Sequence, residues 1–359
     1  MNKHLKNILL MVFSIAVGVA LFTWVVGKTS LNEVLTVFSG FPLLWLAVFI
    51  LISLLIDAFV AFRGLIIIRH MGYKLRFFPL VIYRWIGFAV NYLTPTMHVG
   101  GEPVRAYLLR KDKVKSADAW SVILLDKKME LIADIFYGIF GIIILLIFFD
   151  KGKFGLKENI YSYLIMFAGL FLSVYAVIKF YSRLSRNERT FVAGIKRLKL
   201  HKLWFMKNFI KKLDEIEKSM CIFMSRSKKG FARALSVSII LWILMYIEYY
   251  CALTIVGVKP TLAHIFLVGF FIALSYLVPV PAAIGFLEAG QISAFALIGK
   301  PGTTAIAFSL IIRGRDLVRS LLGVVLLANK GITVVGALDP KSIKKKVRFI
   351  RNDKIISKV

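Results

Sequence analysis

Six apolar segments, each about 20 residues long, constrain this chain more than any other feature of its sequence. A helix needs about 20 apolar residues to cross the hydrocarbon core of a bilayer, which is about 30 Å thick. Hydrophobic residues make up 59% of the chain and charged residues only 19%, against about 25% charged in soluble domains. The sequence therefore predicts an all-α polytopic membrane protein and excludes a soluble enzyme fold for the whole chain. The predicted full spans are residues 8–26, 43–62, 129–149, 160–181, 233–256 and 303–328.

The distribution of positive charge orients these spans. The formal net charge is +29, which in a soluble protein would indicate nucleic-acid binding. Residues 182–230 contain fourteen Lys and Arg against four acids, and the tail from Lys330 contains nine against two. Because cytoplasmic loops of membrane proteins carry an excess of Lys and Arg, we expect both segments and both termini in the cytoplasm. We expect a multi-pass protein of the cell membrane with no nucleic-acid partner.

Two further apolar segments are interrupted by proline. Residues 77–96 contain Pro95, and residues 264–280 contain Pro279. Basic stretches on both sides of the first segment indicate that its two ends lie in the cytoplasm; they are residues 63–76 and 105–115. The parity of the remaining spans then leaves both ends of the second segment outside. We therefore predict two re-entrant helical hairpins of opposite orientation, at residues 77–104 and 264–300.

The two interrupted segments also resemble each other. Asn91-Tyr-Leu-Thr-Pro95 corresponds to Ser275-Tyr-Leu-Val-Pro279, and each is followed by a glutamate. From each glutamate it is 25 residues to a cation and 28 residues to an acid. Internal similarity with opposite orientation is typical of an inverted-topology repeat, the architecture of many transporters. The matched residues are Glu102, Lys127 and Glu130 in the first half, and Glu288, Arg313 and Asp316 in the second.

The residues around both breaks resemble a known membrane family. They read Asn91-x3-Pro95-x4-Gly100-Gly101-Glu102-x2-Arg105 and Pro279-Val-Pro281-x3-Gly285-x2-Glu288. This pattern is similar to that of the lysylphosphatidylglycerol synthase transmembrane-region family, also called the flippase-like domain family, over nearly the whole chain. The resemblance implies a polytopic domain that moves an aminoacylated phospholipid or a polyprenyl-linked glycolipid between leaflets. One departure is Ala282-Ala283, where the family usually has glycine before Gly285.

The resemblance also bears on domain organisation. Bifunctional members of the family carry a soluble aminoacyltransferase domain after the membrane part. Residues 331–359 are too few to build such a domain, so we expect a stand-alone membrane domain over residues 1–330. Residues 331–359 are then a basic cytoplasmic tail. No nucleotide-binding, hydrolase or metalloprotease motif occurs, so we expect no enzyme activity and no cofactor.

Glycine and proline at the breaks suggest how a ligand could be bound. Gly100-Gly101 allows the backbone to bend and to approach a ligand closely, and Pro103 suits the first turn of a helix. We expect one helix to begin near Glu102 and another near Gly285, with their N-terminal N–H groups inside the membrane. Such helix ends favour anions, and a lipid phosphate is the obvious anion in a bilayer. The alternative is two tight turns without a ligand.

The charged residues near the breaks leave two interpretations open. In the first, Arg105, Lys127 and Arg313 bind the lipid phosphate, while Glu102 and Glu288 bind a cationic head group or a proton. In the second, these charges pair with one another and only stabilise the fold. Charges inside a membrane usually face a polar cavity and a partner. The candidate substrate-binding residues are Asn91, Gly100, Gly101, Glu102, Arg105, Lys127, Glu130, Gly285, Glu288, Arg313 and Asp316.

Other polar residues in the apolar segments are less informative. Asp134, Arg315 and Arg319 are further candidates of the same kind, while Asp57 and Glu248 are lone acids within spans, each either a proton site or locally satisfied. His98 is expected to be structural, because no other His, Cys or acid offers metal-ligand spacing. We therefore predict no metal site.

The basic segment between the fourth and fifth full spans is predicted to contain an amphipathic helix. Apolar residues recur mostly every three to four positions within the cytoplasmic insert 182–232, with Lys and Arg between them. We expect this helix to lie on anionic lipids of the inner leaflet; docking to a protein partner is the alternative. Self-association into a homo-oligomer stays open. The apolar positions are Ile195, Leu198, Leu203, Met206, Ile210, Leu213, Ile216 and Met220.

Three functions are compatible with these features. The first is translocation of a lipid with a phosphate-containing head group between leaflets. The second is a membrane-embedded transferase that uses Glu102 or Glu288 as general base, although no nucleophile or cofactor motif accompanies them. The third is a non-transporting scaffold whose basic loop recruits a partner. The sequence favours the translocase and leaves open which lipid moves and what drives it.

Overall fold

The computed structural model describes residues 43–95, 100–148 and 206–329, with the isolated positions Thr23, Thr36, Tyr175 and Lys179. These ranges are helical with short connections and contain no strand. Several sequence predictions lie outside the described residues. They concern the spans 8–26 and 160–181, His98, the first part of the insert 182–232, and the tail 331–359.

Nine α-helices occur in the described ranges. Their lengths follow from the sequence, because the apolar runs are long and prolines or glycines stand at the ends of the short ones. In chain order they are α1 Leu43–His70, α2 Phe77–Leu93, α3 Glu102–Lys111, α4 Ser116–Phe148, α5 Met206–Arg226, α6 Lys228–Ile255, α7 Leu262–Tyr276, α8 Phe286–Leu297 and α9 Gly302–Asn329.

The outer surface of the described part is apolar, as a bilayer requires. Helices α1 and α6 are each long and apolar enough to cross a membrane. Large side chains point outward along the helices: Leu51 is 56% exposed, Ile243 56% and Leu321 65%. Most of the charged side chains of the spans are instead buried or partly buried. A protein in lipid is expected to have its apolar side chains outside and its polar side chains inside.

The predicted apolar segments coincide with helices where the structure describes them. The segments 233–256 and 303–328 correspond to α6 and α9 within a few residues. Helix α1 continues beyond the predicted segment to His70, and Arg63 lies inside it with only 2% of its surface exposed. Using Arg63 as a marker of a cytoplasmic loop is therefore wrong, because its charge is paired inside the protein. The connection after α1 still carries Lys74 and Arg76.

Helix packing repeats between the two halves of the chain. Helix α1 packs along α6, and α2 packs along α9. In both halves an apolar helix ends at a break, a short helix follows, and a long helix completes the unit: α2–α3–α4 and α7–α8–α9. Contacts of α1 with α2 and α4 have counterparts between α6 and α7 and between α6 and α9.

Helix α5 belongs to the predicted basic insert and packs against α4. Met220 and Phe223 of α5 are buried, Ser219 Oγ donates to Asp118 at 2.7 Å, and Ser121 Oγ donates to the carbonyl of Ile216 at 2.9 Å. The apolar side of α5 in this part faces the protein itself. The predicted contact with leaflet lipids stays a prediction for the remaining surface of the insert.

Candidate functional site at the two helix breaks

The first break lies between α2 and α3. Thr94, before Pro95, is extended, with φ −119° and ψ 142°, as expected before proline. The Oδ1 atom of Asn91 accepts the N–H of Gly101 at 2.6 Å, and α3 begins at the next residue, as predicted. This bond satisfies one backbone donor at the break and fixes how α3 leaves α2.

Gly101 is required by close packing of protein on protein. A Cβ atom at Gly101 would lie 2.0 Å from the carbonyl oxygen of Gly87 on α2, far inside any van der Waals contact. The glycine pair was predicted to allow a ligand to approach the backbone closely. At Gly101 it is the backbone of α2, and not a ligand, that approaches.

The second break lies between α7 and α8. Ser275 Oγ donates to the carbonyl of Phe286 at 3.0 Å, so it joins the end of one helix to the start of the next, as Asn91 does in the first half. Gly285 has φ +79°, and its N–H donates to Glu288 Oε2 at 2.9 Å. Helix α8 begins after Gly285, as predicted, and the carboxylate of Glu288 supplies negative charge at its N-terminus.

Arg313 of α9 holds this second break in shape. Its Nη2 donates to Glu288 Oε2 at 2.7 Å, and its Nε also binds Glu288. Nη1 donates to the carbonyl of Ala282 at 3.0 Å and Nη2 to that of Ala283 at 3.3 Å. Both alanines have positive φ, 54° and 47°. A bidentate guanidinium therefore cross-links the irregular backbone to the helix that follows it.

A group of six charged residues, here called the first cluster, lies beside the first break. Asp126 of α4 is bound on both oxygens, by Arg63 Nε at 2.7 Å and by Arg105 Nη2 at 3.1 Å. Arg105 Nη1 also pairs with Glu102 at 3.0 Å. The cluster thus ties α1, α3 and α4 together. Its members are Arg63, Glu102, Arg105, Asp126, Lys127 and Glu130.

One end of the first cluster is accessible. Lys127 Nζ lies 3.1 Å from Glu130 Oε1 and 3.8 Å from Glu102 Oε1. The side chains of Lys127 and Glu130 are 32% and 37% exposed, whereas that of Asp126 is 1% exposed. Glu102 Oε1 is buried and accepts no hydrogen bond from a described residue. The charges that a ligand could contact without dismantling the fold are therefore Lys127 and Glu130.

A second cluster lies mostly in the other half of the chain and includes one acid of α1. Beside the Arg313–Glu288 pair, Arg315 of α9 binds Glu248 at 2.6 Å and Asp316 at 2.9 Å. Tyr276 donates to Asp316 Oδ2 at 2.6 Å. Arg319 completes the group by binding an acid on α1 at 2.9 Å. Its members are Asp57, Glu248, Glu288, Arg313, Arg315, Asp316 and Arg319.

The sequence matches the family described as lysylphosphatidylglycerol synthase TM region over residues 11–323. The chain belongs to this family. Among curated proteins, it is 26% identical over 243 residues to a UPF0104 membrane protein of Methanothermobacter thermautotrophicus, covering 65% of this chain and 69% of that protein. A UPF0104 membrane protein of Methanocaldococcus jannaschii is 23% identical over 141 residues, 39% of this chain and 41% of its own length. No solved structure matches the chain significantly.

Membership of the lysylphosphatidylglycerol synthase membrane family confirms the resemblance.

A reciprocal contact between α1 and α6 adds to the internal similarity of the two halves. Ser53 of α1 donates to Glu248 of α6, and Arg63 of α1 donates to Ser238 of α6 at 3.0 Å. Position 53 corresponds to 238 and position 63 to 248, both 185 residues apart. Ser53 and Ser238 thus occupy equivalent positions in the two halves, and so do Arg63 and Glu248. Each bond joins the serine of one half to the charged residue of the other, as in an isologous interface.

The predicted site residues divide between the two clusters. The first cluster and its break contain Asn91, Gly101, Glu102, Arg105, Lys127 and Glu130, while Gly100 lies in the turn before α3; Gly285, Glu288, Arg313 and Asp316 lie in the second half. Among the described residues, no cation forms ion pairs with both Glu102 and Glu288. That these two glutamates share one site stays a prediction.

Asp57 and Glu248 are not lone acids, since arginines of α9 bind both. Of the two interpretations offered for them, local pairing is the one that the contacts support.

Sequence reasoning missed several residues of the clusters. Asp126 was not distinguished from its neighbours, although it binds two arginines. Arg63 and Ser238 could have been found, because the offset between the halves aligns Arg63 with Glu248 and Ser53 with Ser238. Arg84 of α2 carries no spacing signal at all. Ion pairs between distant helices leave no periodic trace in one sequence.

Proposed function

We propose that this protein translocates a lipid with a phosphate-containing head group between membrane leaflets. The observation that carries the proposal is the accessible end of the first cluster, where Lys127 and Glu130 are about one third exposed beside buried ion pairs. An ionisable side chain inside a membrane is costly and usually marks a substrate or ion pathway. Aminoacylated phospholipids and polyprenyl-linked glycolipids both present a phosphate to such a site.

The proposed architecture is an inverted repeat with six full spans and two re-entrant hairpins of opposite orientation. The matched order of helices, the matched breaks and the reciprocal serine contacts between α1 and α6 support a duplication. In transporters of this type the substrate binds near the interface of the repeats, at interrupted helices. We propose that the protein lies in the cell membrane with both termini in the cytoplasm, because the basic segments favour that side.

Within this proposal the buried and the accessible charges have different roles. Arg105 and Arg313 are positioning residues, because their guanidinium groups are occupied by carboxylates and carbonyls. Lys127 is the cation available to a head-group phosphate. Glu130 is the acid that pairs with Lys127 when no phosphate is bound. The pairing interpretation thus describes the interior of each cluster, while ligand contact is proposed for the open end of the first.

The proposal is tested with purified protein in liposomes that contain fluorescently labelled phosphatidylglycerol. Dithionite added outside quenches only the outer leaflet, so translocation should extend quenching to the whole labelled pool. Lys127→Gln and Glu130→Gln should slow this step while keeping thermal stability near that of the wild type. Lys74→Gln, in an exposed connection, is the matched control and should behave as the wild type.

Two results would contradict translocation. The first is wild-type protein that leaves the inner-leaflet label protected for each phosphate-containing lipid tested. The second is chemical conversion of the labelled lipid, read by mass spectrometry, which would indicate the transferase instead.

A further inference from the structure

Arg84 is a cation within the apolar helix α2 that the clusters do not account for. It lies seven residues after the start of α2, which at 1.5 Å per residue places it about 10 Å along the helix. The residue is half-buried, and its Nε atom is buried without a hydrogen-bond partner. Its guanidinium makes no ion pair with a residue that the structure describes.

Arg84 shares a face of α2 with the residues that border the first cluster. Gly87 and Asn91 follow it at helical spacing. A Cβ atom at Gly87 would lie 2.7 Å from the side chain of Arg105, and Asn91 accepts the N–H of Gly101. The charges of Arg84 and Glu130 are within electrostatic range of each other, although the two side chains form no ion pair. The unpaired guanidinium therefore lies toward the accessible end of the cluster, where Lys127 already binds Glu130 at 3.1 Å.

The contrast with the other arginines is informative. Arg63 and Arg105 are buried, and each binds two acids. A cation at membrane depth costs at least about 2.5–3.5 kcal/mol on insertion scales, and an unmet buried N–H adds to that cost. Because the neighbouring arginines are fully paired and Arg84 is not, Arg84 is available to an anion from outside the chain.

From this arrangement we infer that Arg84 and Lys127 form a subsite for the phosphate of a membrane lipid. When phosphate binds, Lys127 exchanges its ion pair with Glu130 for one with the phosphate. A planar guanidinium can bind two phosphate oxygens at once, and an ammonium adds a point charge. The inference deepens the proposed translocation and rests on it for the identity of the lipid.

The test measures lipid binding rather than movement, by native mass spectrometry of the full chain in detergent. Phosphatidylglycerol is titrated against the wild type, Arg84→Gln and Arg84→Lys, with diacylglycerol as the phosphate-free probe. We expect Arg84→Gln to weaken phosphatidylglycerol binding about tenfold or more, and Arg84→Lys to be intermediate because the planar fork is lost. Diacylglycerol binding should not depend on residue 84.

A matched variant and a stability measurement separate binding from folding. Arg110→Gln removes the same charge from an exposed position on α3 and should bind as the wild type. Without lipid, Arg84→Gln should melt close to the wild type, because the substitution breaks no ion pair with a described residue. If Arg84→Gln does not yield folded protein, Lys127→Gln, at a side chain 32% exposed, tests the same subsite with a smaller expected loss.

Glycerol phosphate in excess distinguishes the source of the phosphate. Displacement of phosphatidylglycerol by glycerol phosphate from the wild type supports a subsite for the phosphate group itself. Absence of displacement, with the Arg84→Gln effect intact, supports a subsite for phosphate attached to acyl chains.

The inference is overturned if Arg84→Gln binds phosphatidylglycerol as tightly as the wild type, or if diacylglycerol binds the wild type equally well. Arg84 would then be a cation that extends to the interface. Translocation by the wild type would be unaffected by that outcome. Conversely, a wild type that moves no lipid, together with weaker binding by Arg84→Gln, would reject translocation and keep the phosphate subsite.

Discussion

Asp126 has the most buried side chain of the first cluster. Its two oxygens bind Arg63 at 2.7 Å and Arg105 at 3.1 Å, and its side chain is 1% exposed. Asp126→Asn would leave two guanidinium groups without this carboxylate in a low-dielectric interior. Breaking a buried pair costs about 3–5 kcal/mol, so we expect a large fall in the thermal midpoint in detergent.

Glu130→Gln is the comparison for this prediction. Glu130 belongs to the same cluster, but its side chain is 37% exposed, and exposed ion pairs contribute about 0–1 kcal/mol. Equal destabilisation by the two variants would show that burial does not set the strength of these pairs.

Ala282 and Ala283 adopt a conformation that glycine tolerates better. Both have positive φ, which costs a residue with a Cβ roughly 1 kcal/mol or more. Ala282→Gly should therefore keep or raise the thermal midpoint, even though glycine usually destabilises. Ala289→Gly, in helix α8 with ordinary geometry, should lower stability by about 1 kcal/mol. A loss at position 282 as large as that at 289 would contradict the strain.

At the scale of the helices, the reciprocal contact between α1 and α6 makes a paired prediction. Ser53 binds Glu248, and Ser238 binds Arg63, so each hydroxyl satisfies a charged group buried between the helices. Ser53→Ala and Ser238→Ala should each destabilise by about 1–3 kcal/mol, measured as thermal midpoints. Ser236→Ala is the control, because Ser236 is exposed and binds only the carbonyl of Ala232 in its own helix. A neutral result at both buried serines would mean that the helices pack without these bonds.

The sequence predicted helices much better than it predicted contacts between them. Hydrophobic length and proline position depend on neighbouring residues only, so the breaks after Leu93 and Tyr276 and the helix starts at Glu102 and after Gly285 were predictable. Arg63 and Asp126 are 63 residues apart, and no local pattern couples them. Their pairing depends on how α1 packs on α4, which a single sequence does not encode in any period.

The candidate site shows the same division. The internal repeat identified Glu102, Lys127, Glu130, Glu288, Arg313 and Asp316, all of which lie in the two clusters. Arg84 has no counterpart in the other half that would have marked it. Its importance comes from what it does not contact among the described residues, and this becomes visible only in three dimensions.

For the whole molecule, the distribution of charge and the parity of the helices must agree. If α2 and α3 form a re-entrant hairpin, the connections before α2 and after α3 lie on one side of the membrane. The same holds for the connections before α7 and after α8, on the opposite side. If either hairpin crosses the membrane instead, the connections before and after it lie on opposite sides of the membrane. Exposed lysines stand in all four connections: Lys74, Lys113, Lys259 and Lys300.

Single cysteines at these four lysines therefore test the inverted repeat directly, in a background where Cys221 and Cys251, both buried, are replaced by serine or alanine. With a membrane-impermeant maleimide on intact cells, cysteines at 259 and 300 should react, and those at 74 and 113 should react only after the membrane is opened. The basic connection around Lys74 and Arg76 favours the cytoplasm, because positive residues are retained on that side. Labelling of positions 74 and 113 from opposite sides would make the first hairpin a crossing and remove its inverted relation to the second. Labelling of all four from one side would contradict the parity of the three predicted spans between Lys113 and Lys259, which are 129–149, 160–181 and 233–256, and with it the proposed duplication.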